Sequence, residues 1–331
     1  MGSPQRLYHL SLPSSKTAAN LLILSLINSL RSYVQRSPLN GVLFLLLLIF
    51  TGASVSSFIG FVISQLFLGV PLLSQPKLLD DMTNPEVFPA LRTIQLLQGL
   101  GMLIIPALVY LWISSSWGGV KQLFRSPVRQ QVMLSVVFFM VAFPFVNYLA
   151  EWNATWNLPT IFGDWLEGKE SQAGEITKLF LDMPNVGLLV LNLIMIALLP
   201  AVGEELIFRG IMQRGLQKRV NPHVAIWLTA ILFSAVHMQF LGFVPRMLMG
   251  VAMGYLLFWS CNLWYPIIAH FTNNAMAVGL TYGIQHNSID STLESAGTEN
   301  PTLAAFSLVF CLLLLYLFRQ HQESQGHEAI T

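Results

Sequence analysis

The chain has 331 residues, 54% of them hydrophobic and only 10% charged, with mean hydropathy +0.61 and a net charge of +1. A soluble domain carries roughly a quarter of its residues charged, so the composition excludes an ordinary soluble globule, and the even charge balance offers nothing to nucleic acid. The fold class it implies is all-α, a polytopic transmembrane helical bundle. Two cysteines, Cys261 and Cys311, lie in or beside apolar runs. They read as small buried hydrophobes, with no disulfide framework.

In chain order, residues 1–40 are mixed. Arg6, Lys16, Arg31 and Arg36 flank an amphipathic piece, Ala18–Leu30, which is short for a span and is expected to lie on the membrane surface. No cleavable signal is expected, because the first long apolar run begins near Val42. MGSPQR puts Arg6 where a myristoylation signal wants Ser or Thr, and HEAIT is no prenylation box, so no lipid anchor is expected. A span needs about 20 apolar residues, which places eight of them near 42–72, 94–113, 131–150, 186–213, 222–241, 243–260, 264–282 and 302–318. The fifth and sixth leave only Gly242–Arg246 for a tight hairpin. The chain divides into an N-terminal region, 1–130, with the amphipathic segment and two spans; a core, 131–283; and a last span with a tail, 284–331.

Loop charge orients the bundle. One side carries Arg6, Lys16, Arg31, Arg36, Lys121, Arg125, Arg129, Arg214, Lys218, Arg219 and Arg319; the other carries Lys77, Arg92, Lys169 and Lys178 with most of the acids. Positive charge accumulates on the cytoplasmic side, so both termini are expected in the cytoplasm of an integral, multi-pass membrane protein. The loop 151–185, with Trp152, Trp156, Trp165 and a helix-like patch at Ile176–Leu181, is expected on the far surface as an interfacial element.

The stretch 186–220, VGLLVLNLIMIALLPAVGEELIFRGIMQRGLQKRV, carries the chemistry. An uninterrupted apolar run gives way to Glu204, Glu205 and Arg209 where apolar residues should continue. Charge at membrane depth is costly and by default marks a functional site. Glu205 and Arg209 are four apart with the acid first, the favourable order for a helical ion pair. Glu204 points elsewhere, with Phe208 as its own i+4 neighbour. Glu205 is therefore neutralised locally and Glu204 is left without a countercharge, as suits a general base. Pro200 should bend the span just before the acids. Were the charges merely structural, they would seal a helix–helix contact.

Two further patterns follow: FSAVH, Phe233 to His237, in the fifth span, and HFTNN, His270 to Asn274, in the seventh. A single intramembrane histidine is most often a packing residue. Two histidines, an amide and a carboxylate on three spans can converge at one depth if those spans adjoin. His9, His223, His286, His321 and His327 lie in loops or termini and receive no assignment. HExxH is absent, GASV at Gly52–Val55 lacks the second glycine of a serine elbow, and every Asp lies in a loop.

EExxxR, then FxxxH, then HxxxN, each on its own span, resembles the CAAX-protease and bacteriocin-processing family. Its members are intramembrane glutamate endopeptidases related to the type II CAAX prenyl endopeptidase and to lysostaphin-resistance-A-like proteins. The resemblance covers roughly 130–283, and strictly 203–274. It implies that Glu204 activates the attacking water with help from His237, that His270 and Asn274 stabilise the oxyanion, and that Glu205 and Arg209 hold the site. Phe233 belongs to the same supporting set. The implied substrate is a membrane-associated protein or peptide within the lipid bilayer, of the CAAX or leader-peptide kind.

No metal or other cofactor is expected, although Glu204, His237 and His270 also read as a His2Glu zinc set. Zinc would need a further carboxylate as base, and Glu205 is expected to be held by Arg209; Asn274 suits an oxyanion better than a metal. The rival function is non-catalytic, a scaffold or immunity-type binding protein, or a transporter that uses the intramembrane charges. A transporter commonly shows inverted repeats, and none is visible.

Overall fold

The computed structural model describes residues 15–80, 84–114, 117–156 and 163–328. Arg6 and the rest of the MGSPQR start, His9, Asp81 and residues 329–331 lie outside them, as do the side chains of Lys16 and His327. Within the described residues every regular element is a helix.

In order these are α1 (Ser15–Arg36), α2 (Pro38–Phe67), α3 (Pro85–Ile113), α4 (Arg129–Ala154), α5 (Gly163–Leu181), α6 (Val186–Gln217), α7 (Pro222–Ala235), α8 (Phe243–Ser260), α9 (Trp264–Gln285) and α10 (Pro301–Glu328). Their starts are written locally. Ser37, Asn185 and Asn221 each accept a backbone N–H of the following first turn, and Pro38 and Pro222 sit in the first turn of α2 and α7. There the missing N–H costs nothing and the fixed φ suits a helix.

Six helices are long and apolar enough to cross a membrane: α2, α3, α4, α6, α8 and the Pro301–Glu323 part of α10. This is an integral, multi-pass membrane protein. The expected count of eight spans falls to six on these criteria, and both losses have a physical reason. The fifth expected span, 222–241, is a 14-residue helix that stops at Ala235. The seventh, α9, has 22 residues, but His270, Thr272, Asn273 and Asn274 lower its hydropathy. The expected hairpin at Gly242–Arg246 is instead a turn over residues 236–242, and Arg246 already belongs to α8. The amphipathic piece is longer than expected: α1 runs to Arg36 and packs Val34 against Phe44 of α2 and Ile113 of α3. The patch at Ile176–Leu181 is the end of a 19-residue helix, α5. Cys261, expected buried, is exposed and caps α8 in the left-handed conformation, while Cys311 is buried.

The main apolar core runs from Leu45 of α2 through Ala107, Phe139, Phe208, Met253 and Ile267 to Phe318 of α10. α10 lies along α4, α7 pairs with α8, and α9 packs against α4 and α6. α6 is not a uniform α-helix. It widens into π turns over Leu193–Leu198 and Glu205–Gln213, and α3 does so over Gly99–Ile104. In α3 and in the first half of α6 a proline follows at once, Pro106 or Pro200. Such wide turns are frequent at functional sites and bend the helix axis. The two helices pack together here: a Cβ on Gly203 would stand 2.5 Å from Leu103 Cβ, so the residue just before the paired acids must be glycine for α3 to come this close.

Candidate active site

The site is a cavity of about 540 Å3 among α4, α5, α6, α8 and α9, walled by Phe139, Phe180, Met195, Pro200 and Met253. Glu204, Phe233, His237, His270 and Asn274 all face into it. The sequence-derived set thus meets in one place, although His237 arrives by a different route. It lies beyond the end of α7, in the turn over residues 236–242, and not within a span.

The paired acids divide as their spacing predicts. Glu205 and Arg209 form an ion pair, Nη1 to Oε1, at 2.9 Å, with side-chain exposures of 0% and 1%, whereas Glu204 keeps 15% and opens to the cavity. Arg209 also donates from Nη2 to the Gly250 carbonyl at 3.0 Å, and its guanidinium carbon stands 4.6 Å from the Phe233 ring centroid. A buried guanidinium is thereby met by a carboxylate, a carbonyl and an aromatic face, three groups that suit its charge. Phe233 is held in turn by edge-on contacts with Phe208, His237 and His270.

Glu205 does a second job that the sequence did not reveal. Its Oε1 lies 2.9 Å from Nδ1 of His270, while Nε2 of the same ring lies 3.9 Å from Glu204 Oε2. One imidazole therefore bridges the two acids. A carboxylate accepts, so Nδ1 carries the proton and Nε2 is directed at Glu204 and the cavity. His237 is fixed the same way, by Nδ1–H donated to the Phe233 carbonyl at 2.8 Å. Both rings then present Nε2 to the cavity.

Asn274 donates from Nδ2 to the Ile196 carbonyl at 3.1 Å, and its Oδ1 accepts from Asn273 Nδ2 at 3.1 Å. Ile196 stands four residues before Pro200, which has no N–H to offer it. The asparagine thus satisfies a carbonyl that proline leaves open and ties α9 to the π turn of α6 beside the acids.

One cavity group and two residues that support the site carry no assignment from the sequence. Arg246 lines the cavity and donates from Nη2 to Gln239 Oε1 at 2.7 Å. It is a charge inside an apolar helix, the same signal that marked Arg209, and was read only as the edge of a hairpin. Glu170 of α5 accepts from the Leu241 N–H at 2.8 Å, and Asn153 of α4 accepts from Val244 N–H at 2.8 Å. Together they pin the turn that carries His237. No sequence signal marks either one: each is a single polar residue within a helix, Asn153 in the last turn of α4 and Glu170 in α5. Among the described residues no three His, Cys, Asp or Glu side chains lie close enough to share a metal ion as they stand.

A profile of the family described as type II CAAX prenyl endopeptidase Rce1-like matches residues 186–276, which begins at the start of α6 and ends just past Asn274. Over this segment the chain is similar to that family. Among curated proteins it is similar to the uncharacterized protein YpbD of Bacillus subtilis (strain 168), 32% identical over 116 residues. That match covers 33% of this chain and 57% of the relative, so only a little over half of the relative's length is spanned. No solved structure matches the chain. The segment shared with the family contains every residue of the candidate site except the groups from α3, α4 and α5 and the far end of α9.

Proposed function

We propose that this protein is an intramembrane endopeptidase of the CAAX type, with Glu204 as the general base. The observation that carries the reading is the inequality of two adjacent acids. Glu205 is engaged by Arg209 and His270, whereas Glu204 faces a 540 Å3 cavity with a histidine nitrogen 3.9 Å away. A carboxylate held open to a cavity and close to an imidazole is placed to hold and deprotonate a water. A scaffold gains nothing from that arrangement.

In the proposed reaction a water sits between Glu204 and the Nε2 atom of His237, which accepts a hydrogen bond from the water's other O–H. Glu204 takes one proton as the water oxygen bonds to the scissile carbonyl carbon. The resulting oxyanion is met by the second amide hydrogen of Asn274 and by His270, which donates from Nε2 when it holds both protons. Glu204 then returns its proton to the departing amine as the C–N bond breaks, leaving a free carboxyl end and a free amino end. Each preorganised oxyanion donor can contribute about 10²–10³ in rate. Glu205, Arg209 and Phe233 act as positioning residues.

The substrate is a membrane-associated protein or peptide: the cavity lies among bilayer-spanning helices, and its walls are mostly apolar side chains. The test compares membrane peptidomes of cells carrying wild type and Glu204→Gln. The isostere should fold, and one or more cleavage products should disappear. Products unchanged in the variant, from a strain where deletion of the gene removes them, would refute the glutamate base.

A further inference from the structure

A second cavity, about 440 Å3, lies at the opposite reach of α6 and shares no lining residue with the candidate active site. It opens where three helix termini meet: the start of α2 (Ser37, Pro38), the end of α3 (Tyr110, Ser114) and the end of α6 (Arg214, Lys218, Arg219). Because these are the ends of membrane-length helices, the cavity sits at the level of lipid headgroups.

Its charge is one-sided. Three cations line it and no Asp or Glu does. Among the described residues none of Arg214, Lys218 and Arg219 takes part in an ion pair, in contrast to Arg209 with Glu205 and Arg319 with Glu323. Arg214 is brought in over Gly119, to whose Cβ position its guanidinium stands at 3.4 Å. Three like charges gathered around a polar hollow repel one another unless an anion joins them. Guanidinium and ammonium donors suit phosphate oxygens, and a basic pocket between membrane helices at the cytoplasmic surface is suited to an anionic headgroup. The loop charges place this same end of the bundle in the cytoplasm.

We propose that this cavity binds the phosphate group of an anionic phospholipid. The bound headgroup neutralises Arg214, Lys218 and Arg219 and fastens the end of α6. Gly210 and Ile211, which follow Arg209 directly in the chain, line the same cavity, so the fastening extends to the segment that holds Glu205. The inference does not depend on the proposed peptidase reaction.

The test uses the full chain, purified in neutral detergent, and follows its thermal unfolding midpoint during titration with phosphatidylglycerol, phosphatidylcholine or inorganic phosphate. Phosphatidylglycerol should raise the midpoint with saturation, and phosphatidylcholine should not. Removing one cation, Arg214→Gln, should weaken apparent affinity about fivefold, and removing all three on the order of a hundredfold. A charge-matched control, Lys77→Gln with Lys169→Gln and Lys178→Gln, should leave it unchanged. Equal weakening in the control would overturn the site in favour of general surface charge. A rise with inorganic phosphate equal to that with the lipid would overturn the lipid as ligand. Should the triple variant fail to fold, Arg214→Gln decides alone: an unchanged titration there refutes the proposal.

Discussion

Replacing Glu205 by Gln tests the division of labour between the two acids most directly. The isostere keeps an oxygen where Oε1 now accepts from Arg209 and from His270, both at 2.9 Å, and alters only Oε2, which has no hydrogen-bond partner. Shape and bond count survive; the negative charge does not. Arg209 is then left at 1% exposure with only the Gly250 carbonyl and the Phe233 ring to meet its charge. Breaking a buried pair by removing one partner typically costs about 3–5 kcal/mol. The variant should therefore unfold at clearly lower denaturant, read by tryptophan fluorescence of purified protein in detergent titrated with dodecyl sulfate. Glu204→Gln, which leaves the ion pair untouched, should unfold close to wild type. The double variant Glu205→Leu with Arg209→Met should recover much of the loss, because an apolar pair of similar volume carries no unpaired charge. It should nevertheless stay inactive, since His270 has lost its acceptor. Equal stability of Glu205→Gln and wild type would show that the pair does not hold α6, and the argument for Glu204 as the free acid would lose its basis.

Asn274→Ala should leave the Ile196 carbonyl without its side-chain donor at a cost of about 1–3 kcal/mol, and Pro200→Ala, which restores an N–H four residues on, should recover part of that loss in the same titration; no recovery would mean that the asparagine is not covering for the proline. Single cysteines at Lys121 and Glu170 should react with an impermeant reagent from opposite faces of intact membranes, as the loop charges require, and labelling from the same face would refute the orientation. Purified protein should contain well under one equivalent of zinc and keep its peptidase activity after prolonged chelation. Stoichiometric zinc, with activity lost on its removal and regained on its return, would make Glu204, His237 and His270 ligands.

Local features were legible in the sequence, and features made by distant residues were not. The Glu205–Arg209 pair needed only a spacing of four within one helix, and the all-helical membrane fold needed only composition. The Glu205–His270 contact joins residues 65 apart, and no periodicity reports such a contact. The end of α7 shows why hydropathy misplaced His237. Residues 233–244 are mostly apolar, with no charged side chain, so an averaging window runs straight through them. The break comes from Met238 in the left-handed region, at φ 52°, and from partners on α4 and α5 that hold the turn. Conversely, α9 lost its signature as a span because the polar side chains that make it useful to the site also lower its hydropathy.

The wide turns of α6 tie these observations into one design. Two acids next to each other in the chain diverge by about 100° around a helix, so they face different surroundings, and the His270 ring reaches them only through its two opposite nitrogens. The fold sets one against Arg209 and His270 inside the protein and leaves the other at the cavity wall. For that to work, α6 must hold its rotation tightly just where Pro200 and the π turns loosen its own hydrogen bonding. The missing restraint is supplied from other helices: Asn274 of α9 on the Ile196 carbonyl, the Gly250 carbonyl of α8 on Arg209, and the Gly254 carbonyl of α8 on Gln213 at 3.0 Å. Side-chain bonds thus tie α6 to α8 and α9, which carry Arg246, His270 and Asn274 into the cavity. The distortion that a membrane helix would ordinarily avoid is what locks these three helices together around Glu204.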